Sequence, residues 1–408
     1  MKVSVLLVCL IWFKVNFSVP VEDLDIFAEE VVQNEVEKGN FSNMPDNIRR
    51  IPRVLNFFPI PFVAECKAND GRRRGICMNT YECRIEGGKS YGFCALGFGV
   101  CCVFRATCKQ EVINNLTYFV NPDFPDLTRG MSSCSLKVKK IESEVSQIRF
   151  DFIHFNLGQP NRKTGICEED VFKITGENTT KDLIICGMNS GQHVYVDVEN
   201  IDELNVEMTL SKKAVSRIWE IIITQVSFSE GSPPGCLQYF TGRYGTVQTM
   251  NFADNGRHLA NQDYNICIRQ EENMCSITYE PCHENAFRIS PNSEDTTINT
   301  NLLAEGSGDG ESDDLRESFR AIEMCNDRII LPCDTEELIM PGMFNLAPGS
   351  CNLIHCGLSL CPSGNDPCKI ESSATPFNIG VHFGNSAKPV SPEDNLGMCL
   401  NYEQIPCE

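Results

Sequence analysis

Basic side chains are scarce in this sequence: 35 Lys and Arg stand against 55 Asp and Glu across 408 residues, for a net charge of −20. Nucleic acid and anionic membrane surfaces both call for a Lys/Arg excess, so neither is expected as a partner. Long apolar runs are missing too. Beyond the first residues nothing approaches the roughly 18 consecutive apolar residues of a membrane helix, and no apolar C-terminal tail suggests a lipid anchor. Catalytic motifs are also absent. None of His154, His193, His258, His283, His355 and His382 stands in His-Glu-x-x-His, and there is no Gly-x-Ser-x-Gly elbow or phosphate-binding glycine loop. The expectation is a non-enzymatic protein with no cofactor.

What the chain has in excess is cysteine, 23 in all. In a chain of otherwise ordinary composition this points to disulfides and an oxidising compartment. Lys2 followed by the apolar run Val3–Phe13 reads as a signal peptide over residues 1–18. Its removal takes Cys9 with it and leaves an even 22, consistent with full pairing. The mature chain is expected to be secreted.

Residues 19–65 form a leader and linker, acidic through Glu22, Asp23, Asp25, Glu29, Glu30, Glu35 and Glu37. Within it, Arg50-Ile51-Pro52-Arg53 has the minimal shape of a convertase site; the plainer reading is a basic linker before an apolar strip. Six cysteines then fall within residues 66–102, a segment too short to build its own core and held by bridges. Downstream, strand patterns dominate. Ile148, Phe150 and Phe152 alternate with Gln147, Arg149 and Asp151; Val194, Val196 and Val198 alternate likewise; RIWEIIITQVSF reads as a buried strand. Few helix-period segments interrupt them, so antiparallel sandwiches are expected. Residues 291–318 carry eight acidic side chains, one arginine and no cysteine, the composition of a disordered insert.

The stretch CKANDGRRRGICMNTYECRIEGGKSYGFCALGFGVCC, with Gly-x-Cys, five residues, Cys, a Gly-bearing loop, Cys and a closing Val-Cys-Cys, resembles a clip domain. That resemblance implies bridges Cys66–Cys101, Cys77–Cys94 and Cys83–Cys102. Cys108 and Cys134, the turn NPDFP, the strand IRFDFIHF, Cys167-x-x-Asp170 and Cys186-Gly187 resemble a CUB domain over 103–230, a jelly-roll sandwich, and imply Cys108–Cys134 and Cys167–Cys186. Residues 231–408 resemble a second, degenerate CUB-like domain. GTVQTMNF echoes the opening turn, Cys236 and Cys267 stand as the first pair, and Cys325 and Cys356-Gly357 imitate the second. The fold class so implied is mainly β: a small disulfide-rich clip-like module followed by two antiparallel CUB-type β-sandwiches. The whole arrangement resembles arthropod secreted CUB-domain proteins. Cys333, Cys351, Cys361 and Cys368 read as extra staples of the second sandwich rather than zinc ligands, and the pairings of these four and of Cys275, Cys282, Cys399 and Cys407 stay open.

Many CUB domains hold calcium through three acidic positions, beside a basic side chain of their partner. Asp170 fits the second position; the first falls at Leu157-Gly158-Gln159 and the third at Ser211-Lys212-Lys213, neither of which offers a carboxylate. Asp170 is therefore a weak calcium candidate, read as a turn residue capping a strand end. In the second sandwich Asp327 sits one residue early, and Gly384-Asn385 replaces the acidic loop. Clip domains often precede serine proteases, but nothing downstream resembles one. Asn40, Asn115 and Asn178 stand in glycosylation sequons, and Ser307 in Glu305-Gly306-Ser307-Gly308-Asp309 has the shape of a glycosaminoglycan attachment site. The leading expectation is an adaptor for another extracellular protein. The competitors are a non-catalytic regulator of an extracellular serine-protease cascade, cleaved near Arg53 or in the acidic insert, and a glycosaminoglycan-bearing matrix protein.

Overall fold

The computed structural model describes residues 65–176, 182–212, 216–253, 256–289, 325–332, 353–361, 368–385 and 391–407. All lie in one unit, Ile60–Glu408. The signal and leader, Asn40, Arg53, Asn178, Ser307, Cys333, Cys351 and the 291–318 insert lie outside the described residues.

Strands β1 (Glu65–Lys67), β2 (Arg74–Met78), β3 (Lys89–Cys94) and β4 (Gly99–Ala106), with helix α1 (Thr80–Ile85), make up the Cys-rich module. The Asn79 side chain caps α1 by accepting the Tyr81 N–H at 2.8 Å. Bridges Cys66–Cys101, Cys77–Cys94 and Cys83–Cys102 hold the segment. It has no core to itself. Ile76, Val100, Val103 and Phe104 pack with Leu116, Tyr118, Val120 and Ile222 from the following sandwich. The Tyr118 hydroxyl, moreover, both accepts from the Arg74 N–H at 2.8 Å and donates to its carbonyl at 3.2 Å. β4 runs across residue 102, pairing first with β2 and β3 and then, from Phe104, with the next domain. One strand therefore belongs to both sides of the expected boundary.

The first sandwich contains β5 (Gln110–Val112), β6 (Thr117–Val120), β7 (Ser133–Lys139), β8 (Val145–Asn156), β9 (Val171–Gly176), β10 (Leu183–Ile185), β11 (His193–Asp197), β12 (Glu203–Thr209) and β13 (Ile218–Ser227). One sheet runs β1-β2-β4-β6-β13-β8-β11, with β3 beside β4, and faces a sheet ordered β10-β9-β12-β7-β5. The alternation read in the sequence sets the core. Ile148, Phe150 and Phe152 of β8 are fully buried, as is Val194 of β11, and Phe152, Phe155 and Phe172 stack at 4.8–6.0 Å. Burying each such ring stabilises the fold by about 1.5–3 kcal/mol. β13 is the apolar run around Trp219 and lies centrally, between β6 and β8.

The second sandwich contains β14 (Cys236–Phe240), β15 (Tyr244–Gln248), β16 (Gln262–Ile268), β17 (Met274–Pro281), β18 (Phe287–Arg288), β19 (Arg328–Ile330), β20 (Ile354–His355), β21 (Ile370–Ser372), β22 (Asn378–Phe383) and β23 (Gly397–Pro406). Its sheets are ordered β14-β16-β22-β19-β20 and β15-β23-β17-β21, with β18 beside β23. The sheets are mainly antiparallel, as expected, with three parallel pairings among the described residues, β4–β6, β5–β7 and β14–β16. In each case the strand between the two in sequence crosses to the facing sheet, so the chain returns in its original direction.

Candidate functional site

Asp170 ends the loop that follows Cys167 and leads into β9, and it is fully buried. The Arg217 guanidinium, at the head of β13 and also fully buried, grips both carboxylate oxygens, Nε to Oδ2 at 2.6 Å and Nη2 to Oδ1 at 2.8 Å. The Gly158 N–H donates to Oδ2 at 2.7 Å and the Ser211 N–H to Oδ1 at 2.9 Å. Burial pushes the carboxyl up. The hydrogen bond from Arg217 and the two N–H groups outweigh it, so the group sits below its ordinary range. Asp170 is thus half of a buried bidentate ion pair rather than a strand-end cap. Arg217 lies 47 residues away, and its local signal is only a charge at the head of an otherwise mainly apolar strand.

The second sandwich has a corresponding cradle. Asp327, buried between Cys325 and β19, accepts the Gly384 N–H at 2.7 Å. His258 Nε2 lies 3.7 Å from its other oxygen, but burial, then the Arg257 charge, pushes this imidazole down to about 3. A neutral imidazole at that distance makes no ion pair. Buried Arg257 donates through Nη1 to the His258 carbonyl at 3.2 Å, while its Nε and Nη2 have no hydrogen-bond partner. Burial pulls Arg257 down to about 10 and pushes Asp327 up.

Between the sandwiches runs a buried polar seam. Asn251, at φ 61° and fully buried, accepts the Met188 N–H at 2.8 Å, donates to Gln159 at 3.1 Å and to the Arg257 carbonyl at 2.9 Å, and gives its own N–H to Asn189 at 2.8 Å. Gly187 is required opposite: a Cβ there would collide with the Asn251 amide. Gln192 donates to the Thr249 carbonyl at 3.2 Å, Gln238 to Gln192 at 3.3 Å, and His193 Nε2 accepts the Tyr239 N–H at 3.1 Å. Burial and the Arg149 charge pull His193 down to about 4, so it bridges as a neutral ring.

The remaining predicted residues fall as follows. Cys108 is bonded to Cys134, Cys167 to Cys186, Cys236 to Cys267, and Cys325 to Cys356. Among those left open, Cys275 joins Cys407 and Cys282 joins Cys399, while Cys361 joins Cys368. Asn115 is half-buried, its Oδ1 accepting the N–H groups of Leu116 and Gln225, both at 2.8 Å.

Residues 233–405, the whole second sandwich, match the family model of the animal CUB domain. Over these residues the chain is similar to a CUB domain. CUB domains are themselves non-catalytic and mediate extracellular protein–protein interaction. The match falls on the half of the chain that reads as degenerate from its cysteines. Among solved structures, the CUB1-EGF-CUB2 domains of rat MASP-1 are similar at 14% identity, covering 73% of this chain and all of that one, with a TM-score of 0.24. A MASP-1 CUB2 domain bound to Ca2+ is 15% identical over 29% of this chain and 98% of its own, with a TM-score of 0.24. The extracellular region of zebrafish Gpr126/Adgrg6 is 12% identical over 72% of this chain and 36% of its own, with a TM-score of 0.25. No curated protein matches the sequence.

CUB domains raise the question of calcium, and the residues here do not fit it. A hard divalent ion needs several converging carboxylate or carbonyl oxygens. Around Asp170 the neighbours are two N–H donors and a guanidinium, all of which repel a cation. Among the described residues no three His, Cys, Asp or Glu side chains gather as a metal site.

Proposed function

We propose that the chain is a secreted, non-enzymatic adaptor that binds another extracellular protein through its sandwiches. The observation that carries this reading is the similarity of residues 233–405 to a CUB domain, joined by a buried polar seam to a second disulfide-bonded sandwich that we also read as CUB-type. Side chains committed to such a seam hold the loops on either side at defined spacing, which suits recognition rather than chemistry. The clip-like Cys-rich module supplies a second docking surface. Its 94–98 turn exposes Leu96 and Phe98 at 99% and 69%, beside Phe93 of β3 at 81%, on a backbone where Ala95, Leu96 and Gly97 all take positive φ. Glycans on Asn115 and Asn178 belong to the same reading of a secreted glycoprotein.

The test is cross-linking of the purified mature protein into native extracellular fluid, with partners identified by mass spectrometry. One stoichiometric protein partner, cross-linked through sandwich or module loops, is the expected result. Recovery only in insoluble matrix, with no stoichiometric partner, overturns the adaptor reading.

A further inference from the structure

An open groove follows the junction of the two sandwiches. Two adjoining cavities of about 640 and 470 Å³ share Leu183, Tyr195, Asp197 and Leu237 in their walls. One wall is β11 and the other β14, which close off the ends of their sheets against each other through the His193–Tyr239 and Gln192–Gln238 bonds and leave the groove running over their outward side chains. The floor is apolar, through Leu183, Leu237 and Ile174, with the Tyr195 and Tyr239 rings beside it.

Charge selects the occupant. Asp182, Asp197, Glu199 and Asp263 rim the two cavities and are all exposed, while no Lys, Arg or His lines either one. Lys173, outside the lining, offsets Asp182 at 2.7 Å, and His382 lies 3.5 Å from Asp263. Asp197 accepts an N–H from the neutral Gln147 amide at 2.7 Å. These carboxylates are spread along the rim rather than gathered, and the described residues hold no cluster of three that would bind a metal ion. We propose that this groove binds an extended segment of the partner protein that carries lysine or arginine at alternate positions, with intervening apolar side chains over Leu183 and Leu237. The inference rests on the adaptor reading and names the site and the partner chemistry.

The test uses the purified full-length mature protein and a fluorescein-labelled peptide of Lys-Val-Lys-Thr repeats, with a Glu-Val-Glu-Thr peptide as its counterpart, read by anisotropy at about 0.15 M salt. One variant neutralises the rim (Asp197→Asn, Glu199→Gln, Asp263→Asn). A second, Leu237→Arg, puts a cation on the floor, and an unchanged melting temperature verifies the fold of each. A control neutralises three exposed carboxylates elsewhere (Glu82→Gln, Glu207→Gln, Glu284→Gln). The lysine peptide is expected to bind at least about tenfold more weakly to both groove variants and within about twofold as tightly to the control, since isolated surface charges contribute little. Equal weakening in rim and control variants means diffuse attraction to an acidic protein and overturns the proposal. So does a lysine peptide that binds no better than its glutamate counterpart. A partner captured by cross-linking and retained by both groove variants sinks the groove while leaving the adaptor reading in place; failure of capture by the unsubstituted chain sinks that reading instead.

Discussion

Each sandwich buries an aspartate at a corresponding point of its fold. Asp170 and Asp327 both follow a bridged cysteine, precede a strand and accept a glycine N–H, and the partner cysteine of each bridge is followed by a glycine of positive φ, Gly187 at 79° and Gly357 at 109°. What differs is the cation. Arg217 meets Asp170 with two short parallel bonds, so the carboxylate is held ionised. Around Asp327 the histidine is neutral and Arg257 leaves its Nε and Nη2 without partners; burial pushes the carboxyl up, and the Gly384 N–H and the Arg257 charge offset it only in part. The same backbone frame thus carries a saturated charge pair in one domain and an under-satisfied cluster in the other. The frame sets where the acid sits, and the residues supplied from elsewhere in the chain set its charge.

Removing the cation from the saturated cradle sharpens this contrast most. Arg217→Met leaves Asp170 buried and uncompensated, and the first sandwich is expected to lose about 3–5 kcal/mol, read as a lower urea midpoint. Adding Asp170→Asn to that variant is expected to recover much of the loss. A single Arg217→Met that costs under about 1 kcal/mol breaks the comparison.

Neutralising the acids themselves comes next. Asp170→Asn gives up charge-assisted bonds to a guanidinium and is expected to cost about 2–3 kcal/mol. Asp327→Asn keeps its acceptor for the Gly384 N–H and removes a charge that burial disfavours, so its midpoint is expected to move little or to rise. At the seam, Asn251→Ala breaks three side-chain bonds and leaves a non-glycine backbone at φ 61°. About 2 kcal/mol is expected, with the two sandwiches melting as separate calorimetric transitions.

Acidification separates the cradles by direction. His193 and His258 have folded values of about 4 and about 3, below the ordinary histidine value. Their contribution is therefore present above about pH 6.5 and is lost as pH falls through the folded values. Asp170, depressed, contributes above the usual carboxylate range and loses that contribution only as pH falls through its lower folded value. Asp327 is raised, so its protonated form favours the fold at low pH and that gain is lost as pH rises through the folded value. The seam and the second sandwich are expected to weaken first between about pH 6.5 and 4, with the first cradle intact. Melting curves at about pH 7 and pH 4.5 test this, and His193→Asn should shrink the difference between them.

How much of this was legible depends on range. The alternation in IRFDFIHF and the apolar run in IWEIII are local signals, and both report buried strands correctly because a strand's faces repeat every two residues. The parallel pairings were not legible, since nothing local marks a strand that crosses to the facing sheet. Gln147 and Gln192 look like outward polar residues in sequence, yet both are buried because another element covers that face. Periodicity identifies a face but says nothing of its neighbour. Arg217 lies 47 residues from Asp170, and only the fold brings the pair together.

The smallest effect expected is that of calcium, and its smallness is what the first cradle dictates. A site with the millimolar to submillimolar affinity of extracellular modules would stabilise the fold by about 1–2 kcal/mol at about 5 mM ion, a shift of several degrees for a domain of this size. Arg217 already supplies the positive charge that Asp170 needs, and a second cation beside it is repelled. Nor does a single substitution open the site, because a Cβ at Gly158 would lie 2.9 Å from the Asp170 carboxyl carbon, leaving no room for a carboxylate at the first position. Addition of about 5 mM CaCl2 is therefore expected to move the melting temperature by less than about 1 °C. A larger rise means that an ion is held by oxygens outside the cradle, and the contrast between the two sandwiches would then have to be drawn from that site instead.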